Sequence, residues 1–311
     1  MKIVFLDRNT IGEDIDLSAY YKLGDVTEYG FTSIEEVPQR VKDADVLIIN
    51  KVPINEKTIG TATNLKLVCV TATGTNNLDK DYLDSRGIAW RNVAGYSTES
   101  VAQHTFGMLF YLLEKLRYYD DYVKDGHYIN DTLFTHFAER FNQISGMTWG
   151  IIGLGAIGRK VADIATAFGA KVIYYSASDA PAQKGYSKVD FETLLSTSDI
   201  VSIHAPLNSH TEGLIDKNAL SLMQPHTILL NLGRGPIIVE EDLVDALNDN
   251  MIAAAGLDVL AMEPMSPNTP LLGVKDTSRL LITPHIGWAS VEARTNLMNI
   301  ICGQIKEFFS L

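Results

Sequence analysis

The 311-residue chain has only two cysteines, Cys69 and Cys302, each inside an apolar run. That argues against a disulfide framework or a metal cluster, and buried thiols are the expected state. Basic residues are also scarce. Twenty-six Lys and Arg against 38 Asp and Glu leave a formal net charge of −12, with no basic cluster. Nucleic acid is therefore not expected as a partner, although a local cationic pocket for an anion is compatible with this balance. No apolar run reaches the length of a membrane span. The N-terminal MKIVFLDRN reads as a strand, without the apolar core of a secretion signal. A cytoplasmic protein with no membrane or nucleic-acid partner is expected. Repeats and low-complexity segments are absent as well. What is present is core material: 46% hydrophobic against 21% charged residues, suited to about two globular domains.

Residues 150–158 read GIIGLGAIG. The apolar run Thr148–Ile152 suits a buried strand, and residues 156–169 place Ile157, Val161, Ile164, Ala165 and Phe168 on one helical face. A second apolar strand, Lys171–Tyr175, follows. In that setting each glycine has a task. Gly153 permits the tight turn, Gly155 lets a pyrophosphate approach the backbone, and Gly158 lets helix and strand pack closely. The N–H groups and positive end of the helix would face the phosphates. A glycine-rich turn without ligand is the bland alternative, and the complete strand–turn–helix–strand context argues against it.

The residues before this motif hold their own strand candidates, Lys2–Leu6, Asp45–Asn50, Lys66–Thr71 and Ile88–Asn92, separated by helical or loop stretches. This half is itself α/β. Gly95–Ser97 reads as a hinge, and Thr98–Lys115 as a helix capped by Ser97 or Thr98. An aromatic segment follows, with Tyr118, Tyr119, Tyr122, Tyr128, Phe134 and Phe137. Beyond Tyr175 come strands at Asp199–Ile203, Thr227–Asn231, Ile252–Leu257 and Leu280–Thr283, then a helix from Ser290 to Phe309. Alternation of this kind predicts a parallel sheet with crossover helices.

Ligands of such sheets bind at the carboxyl ends of the strands, so the polar residues that follow each strand are the candidates. They are His204-Ala205-Pro206, then Leu232-Gly233-Arg234, then Asp258 and Glu263, and finally His285. An arginine, carboxylates and histidines thus reach one edge, which fits hydride transfer to a 2-oxo acid. Arginine supplies a planar, bidentate cation for the substrate carboxylate. Histidine can give the carbonyl a proton. A carboxylate beside that histidine fixes its tautomer and raises its pKa. Arg234, His285 and Glu263 are assigned these roles. If His285 is the acid, reduction fades as pH rises past its pKa and oxidation gains. Alternatives are weighed for each residue. Arg234 could pair with a carboxylate, although its place between two glycines suggests backbone kept open for ligand. Glu263 could be a solvated loop residue. His204 is the rival to His285, with Ala205-Pro206 suited to a wall against a cofactor, and Asp258 could contact the nicotinamide amide or cap a turn.

With these motifs in hand, the chain resembles the D-2-hydroxyacid dehydrogenases, which reduce 2-oxo acids to (R)-2-hydroxy acids with NAD(P)H. Within that family it is most similar to the glycerate dehydrogenase (hydroxypyruvate reductase) group. TATGTNNLD (71–79), GYSTESVAQHT (95–105), GIIGLGAIGRKVA (150–162), SDIVSIHAPL (198–207), LNLGRGPIIVEEDLVDAL (230–247), GLDVLAMEP (256–264) and TPHIGWAS (283–290) occur in the family's order. The resemblance implies two Rossmann-like domains, each a parallel sheet flanked by helices, with the active site in the cleft between them. Residues 1–98 with 286–311 would form the substrate domain and 99–285 the dinucleotide domain. It implies Arg234, Glu263 and His285 as the catalytic triplet. Cofactor contacts would come from Gly153, Gly155, Ala156, Ile157, Gly158, Ser176, His204, Ala205, Pro206, Thr211, Leu232, Gly233, Asp258 and Gly287. Lys51, Thr73 and Gly74 would hold the substrate, Thr73-Gly74 through backbone amides. Tyr96, Met262 and Trp288 are candidates for shaping a substrate side pocket, with packing the equal alternative for each. The aromatic segment would form a homodimer interface.

Two positions depart from the family pattern. Where an acidic residue often binds the adenosine ribose, this chain has Ser176, with Asp179 nearby. NAD is the expected cofactor, with NADP the alternative. Gln103 stands where many members carry glutamate. The expected activity is reduction of a small 2-oxo acid, hydroxypyruvate or glyoxylate ahead of pyruvate. The alternative is a nucleotide-dependent binding or corepressor-type protein, since this fold also serves that class.

Overall fold

The apolar runs become short strands, most of them buried on both faces. In the computed structural model, which describes residues 1–178 and 183–311, Asp179 lies outside the described residues. The chain divides into two units, Met1–Ser97 with Ala289–Leu311, and Thr98–Trp288.

The first unit holds β1 (Lys2–Phe5), β2 (Asp25–Glu28), β3 (Val46–Ile49), β4 (Leu67–Val70) and β5 (Ala89–Arg91), ordered β2-β1-β3-β4-β5. Every pairing is parallel. All residues of β3 and β4 are buried, as their uninterrupted VLII and LVCV runs require of a sheet covered on both faces. β2 was not expected from sequence: DVTE offers only half-buried Val26, because an edge strand exposes most of its side chains. The helix Val291–Phe309 belongs to this unit and buries Leu297, Ile301 and Ile305. Those three side chains contribute on the order of 6 kcal/mol before ordering costs. Arg294 fastens the helix start, with two bonds to the Asp14 carboxylate at 2.6 and 2.8 Å.

The second unit holds β6 (Thr148–Ile152), β7 (Lys171–Tyr175), β8 (Ser187–Lys188), β9 (Ile200–Ile203), β10 (Ile228–Asn231), β11 (Ala254–Leu257) and β12 (Leu280–Ile282). Their order is β12-β11-β10-β9-β6-β7-β8, again all parallel. Strand order reverses between β6 and β9, so this is the ligand-binding point of the sheet. The helix Thr98–Leu113 lies close to β11. A Cβ built on Gly256 would come within 3.3 Å of both Met108 and Leu112, which shows how closely the helix side chains approach that strand. The unit ends at Trp288, three residues beyond the boundary expected after His285. Asp258 explains the difference: its carboxylate takes the N–H groups of Ile286 and Gly287 at 2.9 and 2.8 Å.

The aromatic segment occupies the helix Leu116–Lys124, which buries no residue, and the stretch after it. Its rings pack on one another: Tyr122 and His136 stack at 3.8 Å, and the Tyr118 hydroxyl meets His136 Nε2 at 2.8 Å. Phe134 and Phe137 remain 90% and 79% exposed.

Candidate active site

The turn after β6 has the geometry of a pyrophosphate cradle. Gly153 has φ +94, which favours glycine, and a Cβ there would lie 2.7 Å from Ala205 N. A Cβ on Gly158 would lie 2.2 Å from Gly153 O, so only glycine lets the helix approach. Gly155 meets nothing within 4 Å: the space above it is open. Gly155 is also the N-cap of the helix Ala156–Ala167, without a side-chain cap and with no acidic residue in the first turn. Ala156 is exposed and Ile157 half-buried in that turn. Uncapped N–H groups beneath open space fit the phosphates of a dinucleotide.

Across the point of reversal, β9 runs into His204. Its Nε2 lies 3.1 Å from Ser202 Oγ, which accepts from Trp149 Nε1 at 2.9 Å. Its Nδ1 is buried without a partner among the described residues. Burial pushes the His204 pKa down to about 3, so the ring stays neutral. A neutral histidine with one unused buried nitrogen fits the cofactor wall and does not fit a proton donor. Ala205 and Leu232 are buried beside it. Thr211 spends its hydroxyl on its own loop, donating to Pro206 O at 2.7 Å and accepting from Asn208 N at 2.9 Å. Ser176 ends β7 with its hydroxyl 2.9 Å from that of Ser178.

The catalytic candidates sit at the same carboxyl edge. Register pairs Asn231 with Leu257 and Leu257 with Ile282, so β10, β11 and β12 release their loops in line. Arg234 follows β10, Asp258 and Glu263 follow β11, and His285 follows β12. Glu263 Oε2 lies 2.7 Å from His285 Nδ1, and Glu263 Oε1 accepts from Leu260 N at 3.0 Å. An ionised carboxylate only accepts, so His285 Nδ1 carries a proton and its Nε2 faces away from the pair. His285 adopts φ +54, a left-handed backbone that costs a non-glycine residue about 1–2 kcal/mol. Its N–H donates to Asp258 O at 2.8 Å, which helps hold that conformation.

Arg234 is half-buried and donates through Nη1 to Gly233 O at 2.8 Å. No carboxylate among the described residues forms an ion pair with it. An unpaired guanidinium in a chain of net charge −12 suits an anionic ligand. The flanking glycines need a correction. They are required by protein backbone: a Cβ on Gly233 would sit 2.8 Å from Ala205 O, and one on Gly235 would sit 1.8 Å from Leu260 O.

Asp258 caps a turn. Oδ1 accepts from Thr283 Oγ1 at 2.7 Å, and Oδ2 from Gly287 N. Burial raises its carboxyl, but hydrogen bonds from His104, Thr283, Gly287 and Ile286 outweigh that and hold it below the usual range. A Cβ on Gly287 would lie 2.8 Å from Asp258 Oδ2, so a side chain there would push the carboxylate out of its present bonds. Three further residues were not expected. His104 Nε2 lies 3.0 Å from Thr283 Oγ1. Fully buried Asn231 accepts from Gly233 N and donates to Arg234 O, both at 3.0 Å. Buried Glu240 accepts from Ala261 N at 2.8 Å, steadying the loop that bears Glu263. Asn231 had a sequence signal, an amide closing the apolar run ILLN. Glu240 had none.

In the first unit, Lys51 follows β3 with an exposed side chain, and Thr73-Gly74 follow β4. Thr73 Oγ1 donates to Val93 O at 3.0 Å. The backbone N–H groups of Thr73 and Gly74 take no acceptor among the described residues. Tyr96 is half-buried in this unit; in the other, Met262 is exposed and Trp288 packs on the core. The described residues contain no group of three or more His, Cys, Asp or Glu able to hold a metal ion, and no helix long and apolar enough to cross a membrane.

Residues 106–287 match the family described as D-isomer specific 2-hydroxyacid dehydrogenase, NAD binding domain. A hydroxypyruvate reductase of Blautia hydrogenotrophica is 38% identical, over 99% of this chain and 97% of its own. A glycerate dehydrogenase of Methylorubrum extorquens is 35% identical, over 99% and 96%. Among solved structures, an acyclic imino acid reductase in complex with NADPH and D-arginine superposes with a TM-score of 0.87 at 30% identity, over 100% of this chain and 97% of that one.

Proposed function

Because the chain belongs to the D-isomer-specific 2-hydroxyacid dehydrogenases, NAD(P)-dependent oxidoreductases acting on a CH–OH group, we propose that it reduces hydroxypyruvate or glyoxylate to the (R)-2-hydroxy acid, reversibly. The observation that carries this reading is the His285–Glu263 pair at 2.7 Å on the same sheet edge as an unpaired Arg234. The relatives named hydroxypyruvate reductase and glycerate dehydrogenase favour this substrate class.

A nicotinamide dinucleotide held by the Gly153–Gly158 turn and the His204–Pro206 wall would supply the hydride for the carbonyl carbon. Arg234 binds the substrate carboxylate and polarises the carbonyl. His285, protonated on both nitrogens, gives its Nε2 proton to the carbonyl oxygen as charge develops there. Glu263 keeps the Nδ1 proton in place, orients the ring and compensates the charge of the imidazolium before transfer. Hydride and proton together turn the 2-oxo acid into the 2-hydroxy acid, and His285 is left neutral. Lys51 and the amides of Thr73 and Gly74 contribute to substrate binding. NAD is the proposed cofactor; Ser176 offers the ribose a hydroxyl in place of an acid, which removes one repulsion against NADP.

The exposed Phe134 and Phe137 support a homodimer formed through the aromatic segment. Free, buried Cys69 and Cys302 accord with a reducing cytoplasm. The test is initial-rate measurement with hydroxypyruvate, glyoxylate, pyruvate and a branched 2-oxo acid, each with NADH and NADPH. Rates highest on hydroxypyruvate or glyoxylate support the reading. Nucleotide binding without turnover on any of them would favour a corepressor-type protein instead.

A further inference from the structure

A doubly wound sheet leaves a ligand crevice where its strand order reverses. In the first unit that point lies between β1 and β3, and the chain fills it with its own anion. Asp7, two residues beyond β1, is 7% exposed. Both its oxygens accept from the N–H of Asn50 at 2.9 Å, and Oδ2 also accepts from Lys51 N at 2.7 Å. Asn77 holds the other side of the same loop. Its Nδ2 donates to Asn50 O at 3.2 Å and Val52 O at 3.0 Å, and its carbonyl accepts from Ile54 N at 2.8 Å.

Two side chains, 43 and 27 residues away from Asn50, thus hold the donors and the acceptors of a loop without regular structure. Only the Lys51 side chain is left outside, exposed and without an ion pair among the described residues. An apolar residue would fill the crevice without burying a charge. Burying a carboxylate is costly unless hydrogen bonds replace its water, and here backbone amides do so. Burial still raises the Asp7 carboxyl against the backbone hydrogen bonds that lower it.

We propose that Asp7 and Asn77 are positioning residues for substrate: they clamp residues 50–52 so that the Lys51 ammonium is presented in one place to a small anionic 2-oxo acid. This rests on the functional reading above. The clamp acts through Lys51, so it governs substrate affinity rather than the chemical step.

The experiment compares the full-length wild type with Asp7→Asn, Asn77→Ser, Lys51→Met and the Asp7→Asn/Lys51→Met double variant. Readouts are kcat and KM for hydroxypyruvate and glyoxylate, NADH affinity by fluorescence, and amide hydrogen exchange across residues 50–54. Asp7→Asn and Asn77→Ser should each raise KM tenfold or more, with kcat within about twofold and NADH affinity unchanged. Exchange at Asn50 and Lys51 should quicken. In the Lys51→Met background, Asp7→Asn should add little. An unchanged KM in an active Asp7→Asn enzyme overturns the proposal, as does a KM effect that persists undiminished without Lys51. A wild type inactive on both acids overturns the functional reading and the substrate assignment with it. The clamp is then judged by exchange alone, and unchanged exchange in both single variants rejects it. Should Asp7→Asn fail to fold, Asn77→Ser tests the same loop from the other side.

Discussion

Replacing Glu263 with glutamine isolates what the carboxylate does for His285. The substitution keeps shape but leaves one oxygen where two donors, His285 Nδ1 at 2.7 Å and Leu260 N at 3.0 Å, now have one each. One charge-assisted hydrogen bond is lost, in a class worth roughly 1.5–3 kcal/mol. The His285 and Glu263 side chains are 26% and 31% exposed, so water screens part of that interaction and the middle of the range, about 2 kcal/mol, is the sounder figure. If that bond is what holds the protonated ring oriented and ready to donate, kcat falls by about 30-fold, since 1.4 kcal/mol is tenfold. The assay is steady-state hydroxypyruvate reduction at saturating NADH, with NADH affinity measured separately by fluorescence quenching. The fall should appear in kcat with nucleotide binding unchanged. A Glu263→Gln enzyme with kcat within twofold of wild type would refute the reasoning, because neither orientation nor charge at this position would then matter.

Arg234→Lys keeps the charge but loses the planar fork, so KM for the 2-oxo acid should rise tenfold or more while NADH affinity holds; equal KM values would remove Arg234 from carboxylate binding. Gly158→Ala brings a methyl to 2.2 Å from Gly153 O, an overlap with backbone costing roughly 1–3 kcal/mol, and should lower both Tm and NADH affinity. Below about pH 6.5 an unfolded His204 takes up a proton that the folded ring, with its pKa near 3, refuses. Stability should therefore be full above pH 6.5 and fall by roughly 1 kcal/mol per pH unit as pH drops toward 5. Urea denaturation would read this, and His204→Asn should flatten the slope.

How much of this was legible in the residue order depended on whether the signal was local. β6 begins and ends where its apolar run does, because burial on both faces selects uninterrupted hydrophobic stretches, and β7 keeps the expected bounds although only Tyr174 in it is buried. β2 and the two-residue β8 at the sheet edges have no such run and left no trace. The glycines at 153, 155 and 158 announced their turn through spacing. Those at 233 and 235 were misread, since only the folded chain brings Ala205 and Leu260 against them. Chemistry-bearing residues could be listed from the strand ends because parallel sheets put them there. The residues that hold them could not. Nothing near Glu240 says that its carboxylate will reach Ala261, 21 positions on.

Those holders divide the work of the edge in a way that bears on how such a protein can change. On the second unit's sheet edge Asn231 secures the Arg234 loop, Glu240 the Glu263 loop and Asp258 the His285 turn, and in the first unit Asp7 secures the loop of Lys51 in the same manner. Each bond runs from a buried side chain to backbone N–H or C=O groups, which every residue but proline supplies in full. A loop tied by its main chain is indifferent to most of its own side chains. Lineages are then free to rewrite what the loops display, and so what the edge recognises, while the points of attachment stay where they are.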